Sequence, residues 1–230
     1  MEADTVAAAG DDGEAAGEVG DGDLPHGVSF GGLAPRLLCF AAAHHGPLIR
    51  GSAVRPYGRR VELTLDELRA VATFAAACAR PVLPLFEASF PDDGRPRLAI
   101  AAAAAFAEGG PRTKAMRDGA WGAQRAASGA CDAGSPVAEQ AARSALAAAG
   151  AGYLHPLPDA AQVRHVLGAA AHALRARELA GDPAPVAATA DLAGPVVRTV
   201  LQRYPAAPAG GGRIGELMRA LDAAVRDVGS

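Results

Sequence analysis

A chain of 230 residues that is half hydrophobic but only 4% aromatic, with a net charge of −3, has room for one good-sized domain or two small ones and little aromatic mass to fill them. The acidic balance argues against a nucleic-acid partner, and Cys39, Cys78 and Cys131 are too scattered for a disulfide framework or a zinc-ligand cluster. Met1 is followed by acids, and the longest unbroken apolar run, Leu98 to Ala107, is too short for a bilayer, so a soluble cytoplasmic protein with no membrane partner is expected.

Residues 1–27 form an acidic tail. Glu2, Asp4, Asp11, Asp12, Glu14, Glu18, Asp21 and Asp23 all precede Pro25, and every basic residue follows it. So little apolar surface cannot offset the entropy of ordering, and the tail is expected to be disordered. Residues 28–62 read as an irregular lead-in, basic towards its end, with a short helix over Leu33 to Ala43 and four arginines between Leu48 and Val61. His44 and His45 point about 100° apart on any helix and make no joint metal site.

From Thr64 the pattern is helical. Thr64-Leu65-Asp66-Glu67 fits a capping box, and Leu65, Leu68, Val71, Ala72, Ala75 and Cys78 form the inward stripe of the first helix. Pro81 and Pro84 interrupt it, giving either a kinked continuation or a second short helix, and Pro91 to Gly94 is a turn. Three alanine-rich helices follow: Pro96 to Glu108, Pro111 to Ala127 with Ser128-Gly129 as its stop, and one opened by Ser135-Pro136 with Val137, Ala141 and Leu146 inward. Alanine favours helix but buries little area, so such a core needs many close-packed helices.

A long helix lies within Leu154 to Asp182, with Leu157 at the cap, Pro158 in the first turn, and Gly181 then Pro183 as the stop. Wound at about 100° per residue, it puts Val163, Val166, Leu167, Ala170 and Leu174 on one face. Arg164, His165, His172 and Arg175 gather on the other, expected to be solvated. Beyond it, 183–193 is loop or weak helix, Val196 to Tyr204 a short helix, and Pro208 to Gly212 a linker. Arg213 to Val228 is an amphipathic helix with Ile214, Leu217, Met218, Leu221 and Val225 on one side. The expected architecture is all-α, a multi-helix bundle or a short solenoid of antiparallel hairpins.

No residue set nominates a reaction. The single lysine, Lys114, has no phosphate-loop context, no G-x-S-x-G elbow is present, and His165 and His172 are two turns apart, about 10 Å along the axis. No enzyme activity, metal or cofactor is therefore expected.

The stretch from Leu63 onward, most specifically RPVLPLFEASFPDDGRPRLAI (Arg80 to Ile100) and the AHAL segment (Ala171 to Leu174), resembles the Imm-5-like family of immunity proteins, common in actinobacteria. The resemblance covers 63–182, about half the chain, and leaves 183–230 as a C-terminal helical extension. It implies an all-helical, non-catalytic module that neutralises a cognate protein toxin by covering its active site. Exposure then nominates Arg164, His165, His172 and Arg175, and the turn residues Asp92, Asp93 and Arg95, as partner contacts. The alternative is a helical adaptor that binds a host protein through its last helix.

Overall fold

The structure, a computed structural model, describes residues 60–227. The acidic tail, the helix expected over Leu33 to Ala43 and the His44-His45 pair lie outside the described residues. Among those described there is no strand, and the fold is all-α.

Thr64 caps α1 (Leu65–Ala79) in the way the sequence predicts. Its Oγ1 accepts from the Glu67 N–H at 3.2 Å, and the Glu67 carboxylate accepts from the Thr64 N–H at 2.8 Å. Pro81 and Pro84 break the helix into a 3-10 turn (Arg80–Val82) and a separate short helix, α2 (Leu83–Glu87). After the turn at Pro91–Gly94 come α3 (Arg95–Ala107), α4 (Lys114–Asp132) and α5 (Pro136–Ala151). A 3-10 turn (Ala160–Gln162) leads into α6 (Val163–Leu179), followed by α7 (Val186–Ala190), α8 (Pro195–Gln202) and α9 (Gly212–Asp227).

The centre is the antiparallel pair α5 and α6. Ser144 Oγ donates to Ala169 O at 2.8 Å, and Gln140 meets His172, so residues ascending one helix face residues descending the other. Around this pair, α4 and α3 pack on α5 and on each other, α1 packs on α5, α6 and α3, and α9 packs on α6. Val163, Val166, Leu167 and Ala170 are fully buried, as the apolar stripe requires. Much of the remaining core is alanine, including Ala72, Ala75, Ala99, Ala103, Ala145, Ala148 and Ala149, all fully buried. Small side chains let helices approach closely: a Cβ placed on Gly119 of α4 would lie 3.1 Å from Ala99 Cα of α3.

Several local expectations need correction. α4 does not stop at Ser128-Gly129 but runs to Asp132. Ala126, Ala127 and Ala130 are buried in one continuous row, and the packing this provides outweighs the cost of an exposed Gly129. The true stop is Gly134, at φ 68°. Leu157 is not the cap: Asp159 caps the 3-10 turn that leads into α6, its carboxylate accepting from the Ala161 N–H at 2.7 Å, and Gln162 precedes α6 with no side-chain cap bond. Leu65 is 46% exposed and Val137 only half-buried. Leu65–Glu87 is also long and apolar enough, by length and composition, to cross a membrane. Here it is broken by two prolines, and Val71, Phe74 and Phe86 are buried inside the bundle.

The C-terminal helices pack against the rest. Leu217, Leu221 and Val225 of α9 are buried, with Ile214 and Met218 flanking them, and α9 contacts α6, α7 and α8. Arg203, just past α8, donates to both carboxylate oxygens of Glu67 at 2.5 and 3.1 Å and to Glu62 O at 2.7 Å. This holds Glu67 at a pKa of about 2, chiefly through the Arg203 hydrogen bond and then the Thr64 backbone. Tyr204 Oη donates to His155 O at 2.8 Å, which joins the α5–α6 connection to the same corner.

Candidate functional site

The residues nominated from sequence fall in two places. On α6 the expected solvated face does not exist as such, because buried alanines continue around the helix: Ala169, Ala171, Ala173 and Ala176. Arg164 is exposed, its Nε donating to Ala161 O at 2.9 Å. His165 and His172 are partly buried. His172 Nδ1 lies 2.8 Å from Gln140 Oε1, which suits the Nδ1–H tautomer. Arg175 is engaged with Glu178 at 3.1 Å, and Glu178 is shared with Arg213 of α9.

Burial lowers both histidines from 6.5 to about 4. For His165 the neighbouring His155, its ring centroid 6.3 Å away, and Arg164 add to the effect; for His172 the addition comes from Arg143. Each ring is therefore neutral at pH 7. Unfolded, each binds a proton below 6.5; folded, each resists until about 4. Stability is accordingly expected to fall as pH drops from 6.5 towards 4, by on the order of 2 kcal/mol per histidine. Urea unfolding at pH 7 and pH 5 checks this, and His172→Gln, which keeps a hydrogen-bonding group beside Gln140, should remove part of the difference.

The second place is the turn between α2 and α3. Asp93 accepts from Arg95 three times, from the backbone N–H at 3.1 Å, Nε at 2.8 Å and Nη2 at 2.5 Å. The fork geometry holds the Asp93 carboxyl well below the usual carboxylate range. Arg97 reaches Glu87 of α2 at 2.6 Å. Beneath the turn Phe90 stacks on the buried Phe86, with ring centroids 5.1 Å apart. The result is a rim braced by these contacts around a shallow groove of about 630 Å³ spanning Ser89–Arg95 and Leu98. Asp92 is exposed there, and Leu98 is 66% exposed. No α6 residue lines this groove, so the two nominated sets do not share it.

Leu98 was missed by sequence reasoning, since it sits within an apolar run and looks like core. The His155–His165 contact was missed as well, because it depends on how the intervening turn folds back.

Cys78 is buried and its thiol is pushed up to about 12 by desolvation, so it is not a nucleophile. No cluster of three His, Cys, Asp or Glu side chains suited to a metal occurs among the described residues. Gly210–Gly215 has G-x-G-x-x-G spacing, but no strand precedes it, and Arg219 Nη1 donates to Gly210 O at 2.8 Å.

A family model described as "Imm-5 like putative immunity protein" matches residues 62–192, from just before α1 to just past α7. No curated protein and no solved structure matches the chain.

Proposed function

The chain belongs to the Imm-5 like immunity protein family, and from that premise we propose that it neutralises a cognate protein toxin by occlusion, through binding and without turnover. The observation that carries this reading is the α2–α3 rim. The Arg95 fork on Asp93 and the Phe86–Phe90 stack hold an exposed leucine and an exposed carboxylate in a fixed arrangement. A surface that is rigid before it meets its partner loses little conformational freedom on binding, so more of its contact energy appears as affinity. Arg164, exposed on α6, is a further candidate contact.

The adaptor alternative, binding through the last helix, is the weaker reading. The apolar stripe it requires is already covered: Leu217, Leu221 and Val225 are buried against this chain's own helices. We place the protein in a reducing cytosol, which suits the unbonded Cys78 and Cys131.

The test is a titration of the protein encoded by the neighbouring reading frame with the purified full chain. Occlusion predicts that toxic activity falls linearly to zero at a fixed stoichiometric ratio. Complete loss of activity at a small fraction of that ratio would mean that the chain turns over and would contradict the reading.

A further inference from the structure

The outer face of α4 has a character found nowhere else among the described residues. Lys114, Arg117, Trp121 and Arg125 are spaced three and four apart and therefore share one side of the helix. All four are exposed, and Trp121, the only tryptophan in the chain, is 51% exposed. The opposite side of α4 is consumed by packing: Met116, Ala123, Ala126 and Ala127 are buried, and Gly119 and Gly122 lie against Ala99 and Arg95 of α3. The stripe is thus mounted on a helix fixed tightly to the bundle.

Two of its three positive charges are available. Arg69, Arg95, Arg97, Arg143, Arg203 and Arg226 each hold a carboxylate. Arg117 and Arg125 have no carboxylate within ion-pair distance among the described residues: of the two acids on this side, Asp118 is engaged with Lys114 at 2.6 Å, and Asp132, at the end of the helix two turns past Arg125, pairs with neither arginine. The single described cation–π contact is Arg112 over Phe106 at 6.0 Å, so no described cation caps the indole. A scattered exposed leucine needs no explanation, but a half-exposed tryptophan between two unpaired arginines, one turn to either side, has the composition of an interface anchor.

We propose that this face is the anchor for an acidic protein surface: Trp121 enters an apolar socket on the partner, and Arg117 and Arg125 meet carboxylates at its rim. The assignment rests on the immunity reading and names the chemistry of the toxin surface it requires. The groove at Leu98 belongs to the neighbouring helix: Gly122, next to Trp121, packs against Arg95 of the rim. The two exposed apolar residues therefore lie on adjacent, antiparallel helices. An acidic partner follows from the charge: two free guanidinium groups repel a basic surface and steer an acidic one towards productive encounter.

Because Trp121 is the only tryptophan, its fluorescence reports on this face directly once a tryptophan-free toxin variant removes overlap. The full chain is mixed with the protein encoded by the neighbouring reading frame. Binding should shift the Trp121 emission to the blue. Trp121→Ala should weaken Kd by about 30-fold or more, as for an interface hot spot. Arg117→Glu with Arg125→Glu should slow association by about tenfold at low salt and abolish most of its salt dependence. All three side chains point outward, so unchanged helical circular dichroism is expected and excludes misfolding as the cause. Wild-type affinity in these variants, with no emission change, would overturn the assignment and leave the immunity reading standing. A Trp121-dependent dimer of this chain alone, or Trp121-dependent binding to single-stranded RNA, would overturn it in favour of those occupants. Failure of the wild-type chain to bind the toxin would remove both.

Discussion

Phe86→Ala is expected to lower the stability of the described helical unit by about 3–5 kcal/mol, the largest loss from any single truncation considered. Phe86 is fully buried among Val82, Ala126, Ala127, Ala130, Ala138, Ala141, Ala142, Ala173 and Ala176. Its neighbours are almost all alanine, on helices α4, α5 and α6 that are already in close contact. Alanine has no rotamers with which to reach into a vacated space, so the cavity left by the ring cannot collapse, and cavity cost is added to lost burial. The effect reaches the proposed binding rim as well, because Phe90 stacks on Phe86 and the turn to Arg95 starts there. Denaturant unfolding measures the stability. Hydrogen exchange of the 88–95 amides measures the loosening, which should exceed that of the distant α9. A loss below about 1 kcal/mol would mean that the alanine helices can close on one another, contrary to the packing described.

Asp222→Ala is the second large effect, about 2–3 kcal/mol, and it falls on the C-terminal helices. Asp222 is 4% exposed, yet it is fully partnered: one oxygen accepts from the Ala207 N–H at 2.9 Å and the other from Arg226 Nε at 2.8 Å. Arg226 in turn donates to Tyr204 O at 3.2 Å. Removing the carboxylate orphans a buried amide and loosens a partly buried guanidinium, and an unmade buried hydrogen bond costs more than a made one contributes. Asp222→Asn, whose amide oxygen can still accept from Ala207, should lose about half as much. Limited proteolysis should find new cleavage between Pro205 and Gly212 in the alanine variant. If both variants unfold like wild type, the Asp222 node does not hold α9 in place.

What the sequence made legible was punctuation. Thr64 with Glu67, the break at Pro81 and Pro84, and Gly181 at φ 79° act locally, through dihedral preference and nearby hydrogen bonds, and no tertiary knowledge is needed to read them. What it obscured was which way helices face. A periodicity argument works on contrast between apolar and polar residues, and alanine provides little. On α6 the wheel isolates Val163, Val166 and Leu167 correctly, but it cannot tell that Ala169, Ala171 and Ala173 are equally buried, so a central helix looks like a surface one. His172 was misplaced for the same reason: only the position of Gln140, on another helix, shows that its ring has left bulk water. The Leu98 groove and the α4 stripe lay beyond reach because exposure of an apolar side chain is decided by which helices cover it. On α3 and α4 that depends on the Gly119–Ala99 contact.

The immunity reading is tested most directly by co-expression. The neighbouring reading frame is placed under an inducible promoter in a sensitive host, with and without the full 230-residue chain. The account predicts growth arrest by the neighbour alone, rescue by the wild-type chain, and recovery of both proteins as one complex from the rescued cells. Arrest that persists despite well-expressed, folded chain would contradict it.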